Sequence, residues 1–177
     1  MVTTTQPPLL HRARAWLTAL VSVRDAPLST DLALAAVRIA LAWIFIYYGG
    51  GKLFAWFNAP VSGLHQASLF FANTAHLHPG GFFAVLGGVT EFGGAIAIAL
   101  GLGSRLAGLA LFGDMVIAMI TITWANGINS EKLPAGYELN VALAVLALVV
   151  VLLGAGRFSV DALAERRLVA TEKRSGP

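Results

Sequence analysis

Five charged side chains stand inside otherwise apolar stretches of this sequence: Arg38, Lys52, Glu91, Asp114 and Glu138. Acids and bases in apolar surroundings pair with one another, grip the polar end of a ligand, or carry protons. The spacing suggests two pairings. Arg38 falls where it can reach Glu91, Asp114 or both, and a cation between two carboxylates leaves one net negative charge, or none if one carboxyl keeps its proton. Lys52 and Glu138 fall at similar depth near the opposite ends of their stretches and form the second expected pair. Asn140, Thr90, Thr121 and Thr123 are placed to complete hydrogen bonds.

Two uses of this polar set stay open. One is interhelical glue that fixes the packing of a bundle. The other is a polar cavity that binds a quinone head group or passes protons, since acids deep in apolar helices often mark substrate or proton pathways. The glycines around the acids, Gly87-Gly88, Gly93-Gly94, Gly108 and Gly113, either draw helices close or open space for a flat ligand. The run Gly49-Gly50-Gly51 before Lys52 is expected to loosen or break the end of its helix, or equally to form a bend that admits a ligand head group.

The elements that must position these residues are membrane-spanning helices. The chain is 57% hydrophobic and 12% charged, against roughly 25% charged residues in soluble domains. At 177 residues it is too short to hide so much apolar surface in a water-soluble core. A bilayer core about 30 Å thick needs ~20 apolar residues of helix. Four windows qualify: Leu32 to Phe54, Phe82 to Gly101, Leu106 to Ala125, and Tyr137 to Gly154. The fold class that follows is an all-α membrane protein, a four-transmembrane-helix bundle over residues 31–157. The first loop, Ala55 to Gly81, carries Val61, Leu64, Leu69, Phe70 and Phe71 and is expected to hold a short interfacial helix.

Nine of the twelve Lys and Arg residues, ten with Arg38, fall on one side of these spans, in the two tails and at Arg105. Lys52 and Lys132 fall on the other. The positive-inside rule then puts both termini in the cytoplasm of a bacterial cell, with the bundle in the inner (plasma) membrane. Residues 1–30 read as a cytoplasmic tail rather than a cleaved signal peptide, with Trp16, Leu17, Leu20 and Val21 on an amphipathic stretch. Residues 158–177 read as a basic cytoplasmic tail. Basic clusters beside apolar spans are explained by topology, so nucleic acid is not an expected partner; lipid, other subunits or a second copy are.

The chain has no cysteine, which excludes a disulfide framework, a thiol redox centre and Cys-ligated iron–sulfur or zinc sites. His76-x-His78 before Pro79 is a weak metal signal, and no metal is assigned. No histidine falls within a span, so bis-histidine haem ligation across the bundle is absent. No phosphate loop, nucleophile elbow or metalloprotease motif occurs, and no catalytic residue is assigned.

Several short pieces occur in a telling order. Arg38-Ile39-Ala40 lies early in the first span and Gly50-Gly51-Lys52-Leu53 closes it. Glu91-Phe92-Gly93-Gly94 and Leu100-Gly101-Leu102 mark the second. Gly136-Tyr137-Glu138 opens the last, and Gly154-Ala155-Gly156-Arg157-Phe158-Ser159-Val160-Asp161 ends it. Together they resemble the DoxX family of small bacterial membrane proteins over roughly residues 31–165. The resemblance implies a membrane subunit of a redox or oxidative-stress assembly, because the family name derives from a subunit linked to quinone-reducing thiosulfate oxidation. Other members look like membrane parts of oxidoreductase assemblies that work beside superoxide dismutase and a sulfurtransferase. It leaves quinone as a candidate cofactor, with none assigned, and implies a chain that is not catalytic alone. A small-solute or proton-coupled carrier and a non-catalytic anchor or assembly scaffold remain the alternatives.

Overall fold

The computed structural model describes residues 28–129, 131 and 133–174, with side chains to residue 169. Among these the chain is helical throughout, with no strand. The amphipathic stretch expected in the amino-terminal tail lies outside the described residues.

Helix α1 spans Leu28–Phe54 and so begins four residues before the apolar window. The acidic Asp31 sits in its first turn, where the free N–H groups and the helix dipole favour a negative charge. Contrary to the expected break at Gly49-Gly50-Gly51, the helix runs straight through all three glycines, which are buried. The reason is packing. A side chain on Gly49 would meet the backbone nitrogen of Phe92 at 2.5 Å, so this glycine brings α1 against the next long helix, while Gly51 makes room for Ala59 of the following loop. The helix ends instead at Ala55, whose backbone is left-handed (φ 57°).

The first loop holds a short turn at Trp56–Asn58 and helix α2, Gly63–Asn73. Helix α3 spans Gly80–Leu100 and stops at Gly101, which adopts φ 69°, a value that suits glycine because a Cβ is penalised there. Helix α4, Ser104–Ala118, continues through a π-helical turn, Met119–Thr123, and a tight turn at Trp124–Asn126. Helix α5 is Glu138–Leu153, and helix α6, Val160–Arg174, closes the chain.

Three of these elements are long and apolar enough to cross a membrane: Leu28–Phe54, Gly80–Leu100 and Ser104–Asn126. The fourth window forms the apolar but shorter α5, 16 residues, a rise of roughly 24 Å. The long helices pack as a ring, α1 on α3, α3 on α4, α4 on α5 and α5 back on α1, while α2 lies against α3 and α1. Leu41 and Phe45 of α1, Ile98 of α3, Leu111 of α4 and Ala147 and Val150 of α5 are the buried centre.

The outside is as apolar as the inside. Ile39, Trp43, Val89, Leu109, Ile117, Ile120, Val145 and Leu152 all project outward, Trp43 with 80% of its surface exposed. A water-soluble monomer rarely tolerates such a continuous apolar exterior; hydrocarbon is the solvent that suits it.

Candidate functional site

Lys52, Glu91 and Asp114 come together where α1, α3 and α4 converge. Gly49 and Gly88 allow it: with no side chain on Gly49, the last turns of α1 lie against the backbone of α3, and Leu53 fills the space that a side chain on Gly88 would take. Lys52, one turn beyond Gly49, then reaches Glu91, and its ammonium nitrogen lies 2.5 Å from Glu91 Oε1. Both side chains are withdrawn from solvent, with 14% and 4% of their surface exposed. Asp114 approaches from α4 to within side-chain hydrogen-bonding reach of Glu91. Glu91 Oε2 and Asp114 Oδ2 are each buried without a hydrogen-bond partner. One cation between two carboxyls carries a net charge of −1, or zero with a single proton shared by the pair.

A cavity of about 310 Å³ lies against this group. Lys52 and Glu91 line it, as do Asn140 and Thr123; Phe45, Met115 and Leu143 supply apolar wall. Pro60 and Gly136, from the loops, lie at its rim, so it sits at the end of the bundle where α1 finishes and α5 begins. Its volume is at the lower end of ligand pockets, about 300–1,000 Å³, enough for one ring-sized group. Asp114 does not line it; this acid stands behind Glu91.

Arg38 is not part of this group. The expected pairing with Glu91 or Asp114 is replaced by four hydrogen bonds to backbone carbonyls. Nε donates to Ile98 O, Nη1 to Ala155 O and Phe158 O, and Nη2 to Ala99 O, each at 2.8 Å. The guanidinium fork therefore ties α1 to the last turn of α3 and to the segment after α5. Two of the carbonyls lie in the last turn of α3, Ile98 O also accepting the Gly101 N–H at 3.1 Å, and a cation at a helix C-terminus meets the negative end of its dipole. A Cβ on Gly101 would press on Arg38 Nη2 and on Ser159, so the turn closing α3 has to be glycine for space as well as conformation.

Two more acids complete this second cluster. Asp31 is fully buried; its Oδ1 accepts the Arg157 N–H at 2.9 Å, and its Oδ2 lies 3.0 Å from Arg157 Nε. Asp161 accepts from the Gly103 N–H at 2.8 Å and from both the N–H and the hydroxyl of Ser104 at 3.0 Å. It therefore caps α4 from a distant part of the chain, holding free N–H groups of that helix start. Ser159 accepts the Ala162 N–H at 3.1 Å and caps α6 in the ordinary local way. Residues 154–161 thus form a latch across the end of the bundle opposite the cavity, and Ser159 and Asp161 are buried in it.

The expected Lys52–Glu138 pair does not form. Glu138 is exposed at the first residue of α5, where an acid suits the helix start, and Lys52 is taken by Glu91. Of the five charged residues singled out in the sequence, three meet at the cavity end, Arg38 belongs to the latch, and Glu138 stands apart. Sequence reasoning assigned no role to Asp31. It quoted Asp161 only as part of the Gly-x-Gly-Arg-x-Ser-x-Asp ending, and that ending was the available signal: two glycines with polar residues between apolar elements mark a segment that folds back on itself.

A family model described as DoxX matches residues 33–124, a span that includes Arg38, Lys52, Glu91 and Asp114 and ends within the last turn of the α4 segment. No curated protein and no solved structure matches the chain.

Proposed function

The chain belongs to the DoxX family of membrane proteins, and from that premise we propose that it is the quinone-binding membrane subunit of a redox or oxidative-stress assembly. In this reading α5 is the fourth span, α2 lies along the membrane interface, and both termini face the cytoplasm of a bacterial inner membrane. The cavity beside Lys52 and Glu91 receives the ligand head group.

One observation carries the reading: Lys52 and Glu91, an ion pair withdrawn from solvent, line a cavity that is otherwise mostly apolar, and the Lys52 ammonium brings donors to its wall. Here the polar capacity is concentrated at an opening of ring size in an apolar bundle. Such a site suits a lipid-soluble ring with polar oxygens. The chain has no cysteine, so redox work by thiols is excluded and a bound carrier has to supply it. Lys52 retains ammonium protons beyond the one given to Glu91 and can donate one of them to a carbonyl oxygen.

The test is direct. The protein is purified in native-lipid particles, quinone is extracted from them, and decylubiquinone is titrated into the protein in quinone-free nanodiscs. Saturable binding is expected. Glu91→Gln, with its melting temperature recorded alongside, should lower affinity on the order of tenfold by releasing Lys52 from its charge-assisted position, the worth of about 1.5 kcal/mol. Neither extracted quinone nor saturable binding by the wild-type chain would overturn the reading.

A further inference from the structure

Asn140 and Thr123 form the second polar point of the cavity wall, supplied by different elements from those that carry Lys52 and Glu91. Thr123 Oγ1 donates to Asn140 Oδ1 at 3.2 Å. That bond orients the carboxamide and leaves its amino group to find an acceptor. The acceptor it has is the thioether of Met115, with Asn140 Nδ2 3.7 Å from Met115 Sδ. A thioether is a weak acceptor, so a half-buried amide donor stands at the cavity with its bonding capacity largely unspent.

The backbone of α4 explains how Thr123 comes to be there. Residues advance about 100° each around an α-helix, so eight residues after Met115 a side chain would stand about 80° away from it. The π-helical turn at Met119–Thr123 holds one extra residue. Thr123 therefore falls where the seventh residue would, about 20° from Met115, and Met115 also lines the cavity. The extra residue in the turn brings the threonine to the cavity side, and π turns of this kind often occur at functional sites.

We propose that Asn140, held by Thr123, is a ligand-binding residue, and that the cavity selects a flat apolar ring bearing two separate acceptor oxygens, one for Lys52 and one for the Asn140 amide. This rests on the reading of the cavity as a quinone site and adds which rings it takes. Both polar points offer donors, Lys52 Nζ and Asn140 Nδ2. The wall includes apolar surface from Phe45, Leu143 and Met115. A ring with a single oxygen leaves one donor facing hydrocarbon, and sites built to hydrogen-bond a group discriminate against ligands that lack it.

The experiment compares two probes on the full chain in quinone-free nanodiscs: decylubiquinone, and a cyclohexenone carrying the same decyl chain and a single carbonyl. Asn140→Leu keeps the side-chain shape and removes the donor. It should weaken decylubiquinone about three- to tenfold, the worth of one neutral hydrogen bond, and leave the cyclohexenone unchanged. Thr123→Val, which frees the amide to turn, should show a smaller loss with the same selectivity. It decides the matter if Asn140→Leu does not fold. Unchanged decylubiquinone affinity in the folded variants, or equal loss for both probes, overturns the proposal while leaving the quinone site in place. A wild-type chain that binds neither probe overturns the site itself.

Discussion

Lys52 and Glu91 are separated by 39 positions and meet at 2.5 Å, with Asp114 on the far side of the acid. Their meeting depends on what is missing at Gly49 and Gly88. Any side chain at Gly49 would strike the Phe92 nitrogen or Glu91 Cβ, and α1 would be pushed off α3. The close crossing also draws the ammonium away from solvent. The pair therefore sits in a low-dielectric setting, where the loss of one member costs far more than the loss of both.

The first prediction follows from that asymmetry. Lys52→Ala strands Glu91, and Glu91→Ala strands Lys52; each should lower stability in detergent by about 3–5 kcal/mol. The double variant should be milder than the sum of the two. Glu138→Ala, which changes an exposed side chain, should shift the melting temperature little. Strict additivity of the Lys52 and Glu91 changes, or a Glu138 effect as large as theirs, would argue that the pairing is wrong.

At the other end of the bundle the second prediction concerns the latch. Arg38→Lys keeps the charge, but an ammonium is a point donor and cannot span four carbonyls as the planar guanidinium does. Its cost should exceed about 2 kcal/mol, since hydrogen bonds to charged groups are each worth roughly 1.5–3 kcal/mol. Asp161→Ala removes the acceptor that caps α4 and should cost about 1–2 kcal/mol. In both variants limited proteolysis should cut between residues 154 and 161, where the wild type resists. Decylubiquinone binding to the folded variants should stay at the wild-type level, because the latch and the cavity occupy opposite ends. A selective loss of binding without proteolytic opening would place Arg38 in the ligand site.

Much of this arrangement was legible in the residues, and the misses share a cause. Window length and hydropathy located each long helix to within a few residues, because hydrocarbon leaves a helix as almost the only way to satisfy the backbone of a lipid-facing span. The types of the polar residues also identified Glu91 and Asp114 as neighbours of a cation. Which cation could not be read, because depth along a helix says nothing about its rotation. Arg38 and Lys52 lie 14 positions apart on α1, close to four turns; what separates their roles is the close crossing at Gly49 and the return of residues 154–161 over the helix ends. That return depends on backbone carbonyls of Ile98, Ala99, Ala155 and Phe158, and a carbonyl has no signature in a sequence. The π turn at Met119–Thr123 was hidden for the same reason: MITIT is an ordinary apolar run, and its extra residue is defined by hydrogen bonding alone.

The third prediction fixes orientation. The chain contains no cysteine, so any introduced thiol reports without background. Ser62 lies just before α2 and Leu133 lies in the loop before α5, where it is 94% exposed. Both loops adjoin the cavity end, since Val61 and Ala135 line it. Ser175 lies in the basic carboxy-terminal segment. Ten of the twelve Lys and Arg, Arg38 of the latch included, are read from the sequence on the latch side of the spans, and the proposed orientation turns that side to the cytoplasm. A membrane-impermeant maleimide added to intact spheroplasts should therefore label Ser62→Cys and Leu133→Cys and spare Ser175→Cys until the membrane is opened. The reverse pattern would invert the protein and turn the cavity toward the cytoplasm. Labelling of Ser175→Cys together with Leu133→Cys in intact spheroplasts would leave both positions on one side and remove the span between them, the 16-residue α5, from the count.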